Sequence, residues 1–124
     1  FRNPHGMVCN TNGDLYVCDT ENHAIRKVAK YVNLGNGQVV STFAGAAPNA
    51  SQTGTVGTSN GTGTAARFNN PTDITKDASG AFYVTDRDNY TIRKISSAGV
   101  VSTLAGKAGT RGTSDGSGAS ANFG

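Results

Sequence analysis

The chain is 124 residues long, 35% apolar and without Trp, and it carries 17 Gly, 25 Ser plus Thr and 12 Asn. That is a composition of turns and short strands, with too little apolar material for a self-contained compact core. It holds no 18-residue apolar run, which excludes a membrane-spanning helix, and no signal-peptide pattern. The net charge of +3 is mild, and charged residues make up 15% of the chain. Most basic residues recur with a repeat (Arg26, Lys27, Arg93, Lys94) instead of clustering as a nucleic-acid footprint does, so a role in the fold explains them first and nucleic acid is the less favoured partner.

In chain order, the first signal is FRNP at 1–4, which returns as FNNP at 68–71. Gly13 aligns with Gly80, and the YV pair at 16–17 with that at 83–84. DTENHAIRKV at 19–28 returns as DRDNYTIRKI at 86–95. The offset of 67 then falls to 61, where VSTFAG at 40–45 matches VSTLAG at 101–106. It falls again to 55, where GTVGTSNGTGTAARF at 54–68 matches GTRGTSDGSGASANF at 109–123. Each fall is a six-residue insertion in the first copy, and length variation of this kind marks surface loops.

The pattern predicts four short strands per copy: 7–10, 15–18, 24–30 and 39–44, then 74–77, 82–85, 91–96 and 100–105. The Thr-Asn-Gly-Asp segment at 11–14 is a hairpin signal between the first two. Four antiparallel strands, repeated at 55 to 67 residues with no helical periodicity between them, describe blades of a β-propeller. The fold expected is all-β, with one four-stranded blade over 1–67 and a second over 68–124 that includes the start of a further repeat. Two blades cannot close a ring and would leave two apolar faces wet. The chain is therefore expected to be an excerpt of a longer array, or to close a ring with identical copies through head-to-tail contacts.

The motifs Phe-x-Asn-Pro, Gly-x-x-Tyr-Val-x-Asp, Asn-x-x-Ile-Arg-Lys and Val-Ser-Thr-Leu-Ala-Gly resemble the NHL repeat, twice over and across nearly the whole chain. The resemblance implies a propeller, most often six-bladed. The second copy departs from the family pattern at Thr72 and Asp73, where a Gly after the Pro is usual.

Asp19, Asn22 and Arg26 and their counterparts Asp86, Asn89 and Arg93 form the repeated polar set. A carboxylate at a strand end can hold turn amides and pair with a guanidinium, and since both copies carry the set its expected role is structural. The two histidines, His5 and His23, stand opposite Thr72 and Tyr90 and break the repeat. A zinc site needs a third or fourth ligand that no spacing supplies, so turn histidines are expected, and no metal, cofactor or catalytic residue is assigned. Folding the hairpin about residues 13 and 14 pairs positions whose numbers sum to 27, which sets Cys9 against Cys18 and predicts a disulfide. Asn49, Asn60 and Asn89 head glycosylation sequons. With the cysteine pair they point to a secreted or cell-surface setting.

The function expected is a non-enzymatic binding or structural scaffold that meets a protein or glycan partner. Its best binding candidates are the unrepeated loop positions Tyr31, Asn33, Asn36, Pro48 and Gln52. Resemblance to the wider NHL group leaves two alternatives open, a lyase or hydrolase with a metal in the channel and an RNA-binding domain.

Overall fold

The structure is a computed structural model and describes residues 1–30, 37–47 and 54–124. Positions Tyr31, Asn33, Asn36, Pro48, Asn49 and Gln52 lie outside the described residues. The rest is all-β. Strands β1 (Pro4–Cys9), β2 (Leu15–Asp19), β3 (Ala24–Val28) and β4 (Val40–Ala44) form one antiparallel sheet in sequential order. A two-residue strand β5 (Gly61–Thr62) precedes β6 (Pro71–Lys76), β7 (Phe82–Asp86), β8 (Thr91–Ile95) and β9 (Val100–Ala105). These make the second four-stranded blade, with β5 added outside β9. The link between the blades thus supplies the outer edge of the second one and covers strand groups that would otherwise be unpaired.

The strands form because β-branched and aromatic residues alternate with small or polar ones, and the two-residue period sorts them onto two faces. Val8, Tyr16, Cys18, Ile25 and Ala44 of the first sheet pack on Ile74, Phe82, Val84, Ile95 and Val101 of the second, with Ala66 and Phe68 of the link joining them. At the heart of this seam Tyr16 lies 4.4 Å from Phe82 and 4.8 Å from Phe43, ring centre to ring centre. Strands β1 and β6, an edge strand of each sheet, approach closely at Gly6. A Cβ there would stand 2.7 Å from the Asp73 Cα, which explains why the first copy keeps a glycine after its His.

Two expectations need correcting. The first strand begins at Pro4, not at residue 7, because β1 runs through a bulge between Pro4 and Met7 and pairs Pro4 with Asp19. The register also differs. Cys9 lies opposite Leu15 and Met7 opposite Val17, so paired numbers sum to 24 and not 27. Asn10 and Asp14 close a longer turn through the Asn10 amide and Asp14 carbonyl at 2.8 Å, which takes Asn10 out of the first strand. Cys9 consequently shares a face with Leu15 and Val17, while Cys18 faces the opposite way into the seam. Both cysteines are free, Cys9 exposed and Cys18 buried.

Candidate binding surface

The repeated polar set is brought together twice. After β2, a single turn of 3-10 helix (Thr20–Asn22) ends on His23 in the left-handed region, and the same turn after β7 (Arg87–Asn89) ends on Tyr90. This reversal turns Asn22 and Asn89 back onto the strand-end carboxylates. Asp19 accepts the Arg2 amide at 2.7 Å, the Asn22 carboxamide at 3.0 Å and the Arg26 guanidinium at 3.1 Å. Asp86 accepts the Asn69 amide at 2.7 Å, the Asn89 carboxamide at 2.7 Å and Arg93 at 2.9 Å. Both carboxylates are fully buried. Burial pushes the Asp86 carboxyl up, while the amide, the carboxamide and the guanidinium pull it back down. Each set ties the Phe-x-Asn-Pro turn to the rest of its blade.

What sequence reasoning missed is the fourth partner. Arg93 also donates to the Arg67 carbonyl (2.8 Å), the Ser59 carbonyl (3.1 Å) and the Asn60 side-chain oxygen (2.8 Å), while Asn89 donates to the Gly57 carbonyl (2.7 Å). All four belong to the link preceding the second blade. The near-identity of GTSNG and GTSDG was the available signal, and it reads as a flexible loop only until its carbonyls are seen to serve an arginine.

These bonds also bear on a sequon. Asn89 is 4% exposed and its amide nitrogen donates to both Gly57 and Asp86, so it is not a glycan acceptor in the folded protein. Asn60 is exposed, and the bonds it makes, from Arg93 and Thr103, use its oxygen.

His23 belongs to the seam. Its Nδ1 accepts the Asn70 amide at 3.1 Å, and burial holds its pKa below the ordinary value, against the pull of Asp88 and Glu21. His5 lines a hollow of about 330 Å³ with Phe1, Pro4, Met7, Val17 and Val28 on the outer face of the first blade. Among the described residues no group of three or more metal-ligating side chains gathers.

Among the described residues several open surfaces remain. One is that first-blade face. The second is the opposite face of the second blade, where Asp73, Thr75, Tyr83, Thr85 and Ile92 line a shallow recess. The third is a rim hollow of about 360 Å³ bounded by Asp86, Asp88, Tyr90, Thr91, Arg111 and Phe123. The corresponding rim of the first blade is filled by the Asn70-Pro71 turn of the second, with Thr20 bonded to the Pro71 carbonyl at 2.7 Å.

The sequence profile of the family described as "Teneurin NHL domain" matches residues 2–122. The chain belongs to this family. Its solved neighbours agree in fold. A structural-genomics protein of unknown function from Bacteroides thetaiotaomicron superposes on these NHL blades with a TM-score of 0.74 at 26% identity. That match covers 94% of this chain and 27% of the other. An auxiliary nutrient binding protein from Bacteroides ovatus gives 0.67 at 27% identity, over 85% of this chain and 26% of that one. Another so described, from Bacteroides thetaiotaomicron, gives 0.68 at 24% identity over 86% and 27%, and shows the fold alone. The chain therefore spans about a quarter of the length of these structures. No curated protein matched it. The NHL blades thus belong to a propeller scaffold, and no described helix is long and apolar enough to cross a membrane.

Proposed function

We propose that these two NHL blades, one over 1–67 and one over 68–124, work as a rigid binding or structural module in a six-bladed ring. The ring is completed by further blades, and it presents its loops outside the cell to a protein or glycan partner. One observation carries the reading: the conspicuous polar residues of both copies are engaged in holding turns and blades together, so recognition passes to residues that differ between the copies. The insertions bearing Tyr31, Asn33, Asn36, Pro48 and Gln52 are those residues. The name of the nutrient-binding neighbour supports a binding role, and the teneurin family assignment supports an extracellular one. Asn49 and Asn60 are the glycan acceptors this setting would use.

The test replaces both insertions with the shorter connections of the second copy and measures binding of the purified protein to cell surfaces and to a glycan array. Binding should fall at least about 10-fold while Tm holds, because loops of this kind tolerate length changes. Unchanged binding would remove the loops from the reading, and stoichiometric metal accompanied by substrate turnover would replace it with an enzyme.

A further inference from the structure

The link after the second blade is folded as though a further blade were already seated on it. Arg67 donates to the Ser59 carbonyl at 2.9 Å, and Asn122 to that of Ser114 at 2.9 Å. Gly57 bonds the Phe68 carbonyl at 3.1 Å, and Gly112 that of Phe123 at 3.0 Å. Both links carry a one-turn 3-10 helix, Gly63–Ala65 and Gly118–Ser120, entered with almost the same backbone angles. In the first link the carbonyls of Gly57, Ser59 and Arg67 and the side chain of Asn60 receive the second blade's Asn89 and Arg93. In the other link the same positions are Gly112, Ser114, Asn122 and Asp115.

We propose that residues 109–122 are the receiving half of another blade seam, and that Asp115 takes the arginine of the incoming NHL blade as Asn60 takes Arg93. The occupant is the first blade of a second copy, which brings Arg26 at this place on its third strand. This rests on the ring reading above and gives it a residue-level contact. A carboxylate in place of a carboxamide makes the contact charge-assisted and salt-sensitive.

The two open faces carry the counterparts of the residues that meet in the filled seam. The Arg26 side chain is 17% exposed and held by Asp19, whereas Arg93 in the filled seam is 1% exposed. Tyr83 and the half-exposed Leu104 stand where Tyr16 and Phe43 stand in the filled seam. On the incoming side Leu15, Val17 and Val28 replace Phe82, Val84 and Ile95. One feature opposes docking: Phe123 and Gly124 occupy the repeat positions that Phe1 and Arg2 of the copy would need.

Sedimentation of the 124-residue protein at rising concentration tests this. Four proteins are compared: the parent, D115N, D115K, and a form lacking Phe123 and Gly124. Copies should associate, more weakly at high salt. D115N should lie within about threefold of the parent. D115K should weaken association about 10- to 100-fold by setting like charges together. The shortened form should associate more tightly. Asp115 is exposed, so D115K should keep the parent's Tm, which is measured alongside. Association untouched by D115K overturns the role of Asp115 and leaves the ring reading standing. All four proteins remaining monomeric overturns both the seam and ring closure by copies.

Discussion

Arg26 and Arg93 occupy the same place in two copies of one motif, beside carboxylates held in the same way, yet they live in different surroundings. Arg93 reaches Asp86, two carbonyls and Asn60, lies 5.1 Å from the centre of the Phe68 ring, and is sealed from water. Arg26 lies 5.7 Å from the Phe1 ring, bonds Asp19 and stays partly wet. The difference is the link at 54–67, which packs on the second blade and has no counterpart against the first among the described residues. A blade of this type is thus finished by its neighbour, and the seam rather than the sheet is the unit that carries stability, as in other stacked repeats.

The largest expected effect comes from breaking the finished copy. Arg93→Met strands a buried carboxylate and several carbonyls and should cost about 3–5 kcal/mol. Arg26→Met strands the buried Asp19 too, but its guanidinium is partly wet and holds no link carbonyls, so it should cost less, about 1–2 kcal/mol. Urea unfolding of both variants checks this, and equal costs would break the comparison.

The aromatic beside each arginine sharpens the same contrast. Phe68 is fully buried between the blades, while Phe123, its repeat partner, is 39% exposed. Phe68→Ala should cost about 3–5 kcal/mol through lost burial and the cavity left behind. Phe123→Ala should cost under about 1 kcal/mol in the isolated chain. If a further blade is supplied and Phe123→Ala then becomes expensive, the second seam has formed as the first one did.

How much of this was legible is clearest from particular residues. The repeated apolar runs LYVC and FYV set strand type but not the inward face, since Tyr16 and Cys18 enter the seam from one blade and Phe82 and Val84 from the other, while the spacing of Asp19, Asn22 and Arg26 marked them as one set. These are local or repeated signals, and repetition averages away noise. Register was not legible at β1. The bulge at residues 4–7 and the five-residue turn from Asn10 to Asp14 each shift the pairing, and neither alters the apolar pattern enough to be read. The service of Ser59 and Asn60 to Arg93 was hidden for another reason: backbone carbonyls have no sequence signature. The burial of Asn89 was legible in principle, since the same asparagine recurs in the structural set at Asn22.

The seam also predicts a smaller, pH-dependent effect. His23 accepts the Asn70 amide on Nδ1, and a protonated ring would set a donor against that donor. Its folded pKa lies below the ordinary 6.5, with Asp88 and Glu21 pulling it up and burial and Arg2 pushing it down. The folded state then binds fewer protons than the unfolded one. Stability is full above about pH 6.5 and falls as the pH drops from there through the folded pKa. His23→Tyr, which copies Tyr90 in the same left-handed backbone, should erase this step. A second loss should follow at lower pH, since Asp14 and Asp77 are both held down to about 2 from an ordinary 3.8 by bonds from Lys27 and Ser79 respectively. Their share is present above pH 3.8 and goes as the pH falls toward 2. Unfolding midpoints measured from neutral to acid pH would show the two steps, and His23→Tyr retaining the first would detach it from the seam.

The faintest effect costs no stability and bears on the two sides of a single strand pair. Cys9 faces water on the open side of the first blade, whereas Cys18 is sealed in the seam, where burial pushes its thiol up to about 12, aided by Asp73 and Asp86. A thiolate is the reactive form, so Cys18 should be inert while the seam is closed. One thiol per chain should therefore react with a disulfide reagent in the native protein and two after denaturation. Arg93→Met should speed the second reaction by loosening the seam that shields it, whereas Arg26→Met should not. A native protein with no reactive thiol would restore the Cys9–Cys18 bridge and require the β1 register to be redrawn. Two fast thiols would mean that the blades part readily, and the contrast between the two arginines should then shrink with them.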